Sequence, residues 1–493
     1  MMIRRKLMAA LPTILLIGTG RSADTNSDIL KNNGSLERLF KQTGVYNASA
    51  TGKTPSFVVD PSWPQPLPNH WMLGQIGGLD VDRHDHVWIY NRPRTLTNEE
   101  AGLEGPLPGV KDANGQPING LGQVRAHGPI ADCCKPAPSI LEFDSDGKLL
   151  RSWGGPADPG FIGGKCKVEA GCIWPNNEHG IYVDQNDNVW ISGSSAAAPT
   201  GAGTPWTTNE AGGDGFLLKF DRDGNFKLRV GGTPKGPNSN DTNGGINGTP
   251  LLYQAADMVV DPKTNRLYVA DGYGNRRVLI VDAETGKYLG HFGAYGNNPV
   301  DDAGPRAAGP WIGDYEKGSK KPAFFRTPVH CVKLANDGKI YVCDRGNDRI
   351  QVFDGSDPML GKACSNPSGE PGKCGFVTER FISEHTNTSI PGTAVSISFS
   401  SDKAQSCLYV GDNSNMTIYI LSRSNLQELG RLGRSGRMAG EFHWLHQVSV
   451  DSKGNIYTAE VDTGKRIQKF IRYGGDSCSG TGSSTVGGVV NAR

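Results

Sequence analysis

Short runs of mainly apolar residues with the alternation of β-strands recur along the chain, separated by polar turns. The runs in "RLYVADGYGNRRVLIVD", "KIYVCDRGNDRIQVFD" and "NIYTAEVDTGKRIQKF" follow one scheme of strand, turn and strand. A period of two is typical of β-strands and argues against helical repeats. The pattern therefore predicts an all-β protein built from repeated hairpins.

A search for internal repeats finds six such units, each preceded by a further strand. The second strands lie within residues 86–94, 188–196, 266–296, 339–354, 407–433 and 455–470. The preceding strands are 78–82, 180–184, 257–261, 331–335, 394–398 and 447–451. Six sheets of about four strands each predict a six-bladed β-propeller over residues 56–473, with long loop insertions.

The first strand of a propeller blade lies nearest the central channel, so equivalent positions on these strands form a ring. Counting five residues back from the last residue of each first strand gives Gly77, His179, Ala256, His330, Thr393 and His446. Histidine thus stands on blades two, four and six, about 120° apart in a closed ring. Three converging imidazoles predict a metal site with an open position, and Zn²⁺ is the first choice among imidazole-binding metals. The alternative for each one is a hydrogen-bonded core histidine.

Loops that leave the second strands carry further candidate chemistry. Tyr273, Arg345, Arg92 and Arg94 are expected at the same end of the propeller, where Tyr is a candidate base and Arg a carboxylate clamp. Residues of the repeated "D-x-x-N-x-R" pattern are expected to brace neighbouring strands instead: Asp271, Asn275, Asp344, Asn347 and Arg349.

Composition reduces the classes of molecule that are expected as binding partners. Lys and Arg number 51 against 50 Asp and Glu, so no bulk charge favours nucleic acid or an anionic membrane. No G-x-S-x-G elbow, P-loop or H-E-x-x-H motif occurs. The expected partner is a small-molecule or peptide substrate, and a monomer is expected.

The two ends of the chain differ from the repeats. Basic residues followed by "LMAALPTILLIG" predict a signal peptide over residues 1–23 and export to the periplasm or outside the cell. Residues 24–55 are predicted to be a flexible leader and residues 474–493 a flexible tail, with no membrane span in the mature chain. Ten cysteines suit export, with Cys166–Cys172 and Cys364–Cys374 as possible local disulfides.

The repeats resemble NHL repeats, and their arrangement is similar to the peptidyl-α-hydroxyglycine α-amidating lyase family. The similarity includes "EHGIYVD", "ADGYGNRRV", "TPVHCVKLANDGKIYVCDRGNDRIQVF" and "FHWLHQVSVD". The resemblance implies that His179, His330 and His446 bind zinc, that Tyr273 is the catalytic base and that Arg92 and Arg345 hold the substrate. It also implies the reaction, in which a carbinolamide breaks into an amide and glyoxylate.

Two residues depart from the family. Gln447 stands where the family has an aspartate ligand of a structural calcium, which puts the Ca²⁺ site in doubt. Trp444 replaces a methionine near the substrate and is expected to reshape the pocket. Two alternatives therefore stay open beside the lyase: a metal-dependent hydrolase or lyase with another small substrate, and a non-enzymatic NHL propeller that binds a protein or glycan.

Overall fold

The predicted architecture is confirmed by a computed structural model, in which six four-stranded antiparallel sheets are arranged as the blades of a propeller. The structure describes residues 54–158, 160–195, 213–233, 236–301, 322–383, 392–475 and 478. The predicted signal peptide, nearly all of the predicted leader and most of the predicted tail lie outside these residues. No α-helix occurs in the described ranges, and their only helical elements are short 3₁₀ turns.

The blades follow one another along the chain, and each contains an inner strand next to the axis and an outer strand at the rim. A separate parallel pair joins β2 (Trp71–Met72) to β5 (Lys135–Pro136). Blade one contains β3 (Gln75–Val81), β4 (Val87–Arg92), β6 (Ile140–Phe143) and β7 (Leu149–Trp153). Blade two contains β8 (Glu178–Val183), β9 (Val189–Gly193), β10 (Phe216–Phe220) and β11 (Phe226–Gly231). Blade three contains β12 (Ala255–Asp261), β13 (Arg266–Asp271), β14 (Arg277–Asp282) and β15 (Tyr288–Phe292).

The second half of the ring repeats this order. Blade four contains β16 (Val329–Leu334), β17 (Lys339–Asp344), β18 (Arg349–Asp354) and β19 (Phe376–Phe381). Blade five contains β20 (Ala394–Phe399), β21 (Cys407–Asp412), β22 (Thr417–Ser422) and β23 (Glu428–Leu432). Blade six contains β24 (Leu445–Val450), β25 (Ile456–Glu460), β26 (Ile467–Gly474) and, as its outer strand, β1 (Ser56–Asp60).

The pairing of β1 with β26 closes the propeller, because the first and last strands of the fold share one sheet. The pairing of β1 with β26 was not predicted from the sequence. The closure also brings β24 of blade six against β3 of blade one, so that the inner strands form a continuous ring. Closing a ring of blades protects the sheet edges that an open array would leave unpaired.

Each inner strand has a register irregularity near its start. In blades one, three, four, five and six the pairing skips one residue, and in blade two it skips from Glu178 to Ile181. A β-bulge leaves a residue unpaired and re-aims its side chain. The skipped residues include Gly77, His179, Ala256, His330, Val395 and His446.

The predicted ring position was wrong in blade five. Val395 occupies it, whereas Thr393 precedes β20 and donates its backbone N–H to the Asp348 carboxylate at 2.7 Å. The blade-five residue that matches the terminal residue of the other segments is Ser400, two residues beyond the end of the aligned segment and without the aspartate that marks most blades, so counting back from Ser398 gave the wrong register.

The bracing role predicted for the repeated motif is confirmed. Asp344 accepts hydrogen bonds from Asn347 Nδ2 at 2.8 Å and from Arg349 Nε at 2.7 Å. Asp271 holds Asn275 and Arg277 in the same way, at 2.8 and 2.9 Å. All of these side chains are buried, so each pair replaces water with charge-assisted bonds inside its blade.

Five disulfides join all ten cysteines, which indicates an oxidising environment. The two predicted pairs, Cys166–Cys172 and Cys364–Cys374, are present. The other pairs are Cys133–Cys134, Cys331–Cys343 and Cys407–Cys478. The last one fixes a residue of the predicted flexible tail to β21. Within the described residues, no helix has the length and apolarity needed to cross a membrane.

Removing one of the bracing arginines should destabilise the fold. Arg349 is fully buried and also donates to the Tyr295 hydroxyl and the Glu379 carboxylate, at 2.8 and 3.1 Å. Arg349→Met removes the positive charge that balances the buried Asp344 and Glu379 carboxylates and is expected to lower the free energy of unfolding by about 3–5 kcal/mol. Urea unfolding followed by tryptophan fluorescence measures the change.

The matched control is Arg83→Met, because Arg83 pairs with Asp187 at 2.8 Å at the protein surface. That variant should unfold close to the wild-type midpoint. Equal midpoints for the two variants would show that the buried pair does not brace the blade.

Candidate metal and substrate site

Three histidines from alternate blades meet on the propeller axis. His179, His330 and His446 are buried, and their ring centroids are 4.8–5.0 Å apart. One nitrogen of each lies within 4.8 Å of one nitrogen of the others. The bulges of β8, β16 and β24 turn these side chains inward, so the group follows directly from the strand register.

Backbone carbonyls of neighbouring blades orient two of the rings. His179 Nδ1–H donates to Ala256 O at 2.8 Å, and His330 Nδ1–H donates to Val395 O at 2.6 Å. These bonds fix the tautomer with the proton on Nδ1 and leave Nε2 as the unprotonated nitrogen that can bind a metal ion. Both acceptors are themselves ring residues, so blades three and five orient the histidines of blades two and four.

The imidazoles are chemically suited to bind a metal ion. Burial lowers the pKa of all three well below the ordinary value for histidine, and the positive charges of Arg92 and Arg345 lower it further. The rings are therefore neutral ligands at physiological pH. His446 Nδ1 is buried without a hydrogen-bond partner among the described residues, and such a group calls for an ion or ligand. The donor set fits a divalent metal.

Tyr273 places its hydroxyl directly against the histidines. Its Oη lies 3.1 Å from His179 Nε2 and 3.0 Å from His330 Nε2. Gly272 and Gly274 allow this position, because a Cβ on them would stand 2.0 Å from Val329 O and 1.9 Å from the Tyr253 ring. The sequence "GYG" in the turn between β13 and β14 is thus required by close packing.

Two buried arginines complete the group. Arg345, at the start of the turn after β17, has its Nη1 3.4 Å from the Tyr273 hydroxyl. Arg92 ends β4 and donates its Nε–H to the carbonyl of Glu178, the residue before His179. A Cβ at Gly77 would stand 2.9 Å from Arg92 Nε, which explains why blade one has glycine in the ring. Burial lowers the pKa of both guanidiniums, and both stay charged.

Sequence reasoning missed two functional neighbours of these arginines, Gln75 and Asn413. Asn413 Oδ1 accepts from Arg345 Nη2 at 2.8 Å, and Gln75 Oε1 accepts from Arg92 Nη1 at 2.9 Å. A signal for Asn413 exists in the repeat, because it follows Asp412 as Arg345 follows Asp344. Gln75 lies before the aligned segment of blade one and had no such signal.

The remaining predicted site residues lie around this group. Arg94 does not contact the histidines: it donates to the buried Glu178 carboxylate at 3.2 Å and so supports β8 at its start. Trp444 packs beside the hydrophobic cluster that contains Met416 and Phe57. Gln447 is buried, and its Oε1 accepts from Ser396 Oγ at 2.9 Å.

A second set of possible metal ligands is already bound by arginine side chains. Asp82, His86 and Glu142 lie close together between blades one and two. Arg151 donates to Glu142 at 2.8 Å, and Arg222 contacts both His86 and Glu142. These guanidiniums already neutralise the carboxylates, so the cluster works as an inter-blade ion network.

Comparison with known proteins agrees with the repeat assignment. Residues 329–353, which span β16 to β18, match the NHL repeat model. Peptidyl-glycine alpha-amidating monooxygenase A of Xenopus laevis is 25% identical over 282 residues, and form B is 23% identical over the same length. The alignments cover 57% of this chain but only 21% and 23% of those proteins. The chain is thus a six-bladed NHL-repeat propeller with distant similarity to an amidating enzyme.

Solved structures with similar folds share little sequence with the chain. A streptogramin B lyase has a TM-score of 0.40 and 11% identity, covering 84% of this chain and 98% of its own. The β-propeller domain of Cps50 (Swd1) from Myceliophteria thermophila has a TM-score of 0.41 and 10% identity, covering 83% and 99%.

The three histidines should act together in metal binding. We expect about one metal ion per chain in protein purified without chelator, and loss of that ion in His179→Ala, His330→Ala and His446→Ala, since each removes one ligand. Elemental mass spectrometry measures the content. His443→Ala is the matched control, because His443 is near in sequence but bonds Thr463 outside the ring. Wild-type protein without metal, or equal metal in all four variants, would contradict the assignment.

Proposed function

We propose that this protein is an exported, metal-dependent carbon–nitrogen lyase that cleaves an N-acyl- or peptidyl-α-hydroxyglycine to an amide and glyoxylate. The observation that carries the proposal is the Tyr273 hydroxyl, which lies in hydrogen-bond reach of two site histidines and of Arg345. A candidate base, a metal-ligand set and two guanidiniums thus converge on one buried point. Similarity to the amidating enzymes supports the same class of substrate.

Different residues of the site would bind the metal ion, accept the proton and hold the substrate in such a reaction. His179, His330 and His446 would hold the ion, for which Zn²⁺ is the first choice, and a bound ion of this kind supplies Lewis-acid activation of the substrate hydroxyl. Tyr273 is placed to take the proton of that hydroxyl, and Arg345 Nη1 lies 3.4 Å from its Oη. Arg345 and Arg92 are placed to hold the glycine carboxylate.

The proposed chemistry balances without water or a redox partner. The hydroxyl proton leaves, the C–O bond becomes a carbonyl and the C–N bond breaks with its electron pair on nitrogen. The nitrogen takes up one proton, so the products are the amide and glyoxylate. The buried ring suits this reaction, because excluding water strengthens the electrostatic contacts in the site.

The test uses α-hydroxyhippurate as substrate and glyoxylate release as the readout. Wild-type protein is expected to release glyoxylate, and Tyr273→Phe to lower kcat by about 10²–10⁴-fold, since it removes only the hydroxyl. Tyr288→Phe is the matched control: Tyr288 is on the same blade, but its hydroxyl bonds His291 on the outer strand β15.

Three outcomes would contradict the proposal. Full activity of Tyr273→Phe would remove the tyrosine from the mechanism. Metal-loaded wild-type protein that releases no glyoxylate would favour a hydrolase or another lyase on the same ligand set, and an intact protein without metal would favour a binding propeller.

A further inference from the structure

The two arginines of the site are held by uncharged side chains. Arg92 donates to Gln75 at 2.9 Å and to the Glu178 carbonyl, and Arg345 donates to Asn413 at 2.8 Å. In the described part of the chain neither arginine forms an ion pair with a carboxylate. Neither guanidinium is therefore bonded to a carboxylate, and the carboxylates that act on them, such as Glu178 on Arg92 and Asp348 on Arg345, do so from beyond ion-pair distance.

Other buried arginines of the same fold are treated differently. Arg277 pairs with Asp271 at 2.9 Å, Arg349 with Asp344 at 2.7 Å, and the partly buried Arg466 with Glu460 at 2.6 Å. These arginines brace the blades, and each is neutralised by the residue that holds it. Carboxamide oxygens also hold the buried Arg125 in the insertion between β4 and β6, so what distinguishes Arg92 and Arg345 is that their carboxamide partners stand beside the histidines.

The positions of the two carboxamides explain how they orient the guanidiniums. Gln75 pairs directly across from Arg92 in the β3–β4 ladder, so their side chains meet without a connecting loop. Asn413 donates its Nδ2–H to the carbonyl of Leu445, the residue before His446, at 2.6 Å. Asn413 therefore fixes Arg345 relative to the strand that carries a metal-ligand candidate. The buried Arg345 Nε has no partner among the described residues and is left for a ligand.

We propose that Gln75 and Asn413 are positioning residues that orient Arg92 and Arg345 while preserving their charge, and that they thereby select substrates with a carboxylate. This inference rests on the proposed function and adds the residues that set its preference for an acid. A glutamate or aspartate would form an equally short bond to the guanidinium. Its carboxylate would also compete with the substrate carboxylate for the same guanidinium and cancel the positive charge that attracts the substrate.

Gln75→Glu is the sharpest test, because it keeps the acceptor and the shape and adds one negative charge. No acceptor for Gln75 Nε2 is present among the described contacts, so the variant loses no hydrogen bond there. We expect KM for α-hydroxyhippurate to rise by about 10–100-fold with a smaller change in kcat, since each 1.4 kcal/mol lost in binding is tenfold. The methyl ester of the substrate, which carries no charge, should be affected far less.

Gln75→Met is the comparison variant, because it removes the acceptor without adding charge. It should weaken turnover of the acid and of the ester alike, by misplacing Arg92. Asn413→Asp and Asn413→Leu form a second pair, in which both lose the bond to Leu445 and only the aspartate adds charge. Asn413→Asp should therefore show the larger rise in KM for the acid, and thermal melting confirms that both are folded.

Binding of hippurate, an unreactive carboxylate, separates this inference from the proposed function. Calorimetry should show weaker hippurate binding in Gln75→Glu than in wild type, whether or not glyoxylate is released. If wild-type protein releases glyoxylate and Gln75→Glu keeps the wild-type KM and the wild-type affinity for hippurate, the inference is overturned and the proposed lyase function stands. Hippurate binding that follows the expected order without any glyoxylate release would overturn the lyase and keep the acid selection. A wild-type protein that binds no hippurate would overturn the inference.

Discussion

One irregular step in strand pairing places the whole candidate site. In every blade the pairing of the inner strand is interrupted near its start, and in blades two, four and six a residue that leaves the ladder is a histidine whose ring turns toward the axis. A regular strand would send that side chain toward a neighbouring sheet. The three histidines converge because six copies of the same irregularity surround one axis, and histidine occupies three of them.

Neighbouring blades orient two of the three imidazoles in the ring. The carbonyls of Ala256 and Val395, which are ring residues themselves, hold the imidazoles of the preceding histidines. Around them, buried aspartate and arginine pairs lock the second and third strands, so the turns that carry Tyr273 and Arg345 start from fixed points. The scaffold thus supplies the precision that a three-ligand site and its neighbours require.

The sequence predicts the blades and most of the site because both depend on local repetition. Strand alternation and the terminal Asp of most units identify the register, and this brings His179, His330 and His446 together. The same method fails in blade five, where no aspartate ends β20 and Thr393 was aligned in place of Val395. It also misses β1, since pairing between the two ends of the chain leaves no periodic signal. Gln75 could not be found because its role depends on the residue across the ladder.

The buried arginines of the blades and those of the candidate site differ in the charge of the groups that bind them. Burying an arginine is costly unless its charge is balanced, and the blades balance theirs with Asp or Glu. At the axis, the two guanidiniums bond to neutral amides, and among the described residues the carboxylates that act on them lie beyond ion-pair distance, an arrangement that costs stability unless another group supplies negative charge nearby. Proteins retain such unbalanced sites where a ligand completes them. The location of the imbalance, against Tyr273 and the histidine ring, is therefore the strongest physical reason to regard this end of the channel as the place where an anionic substrate binds.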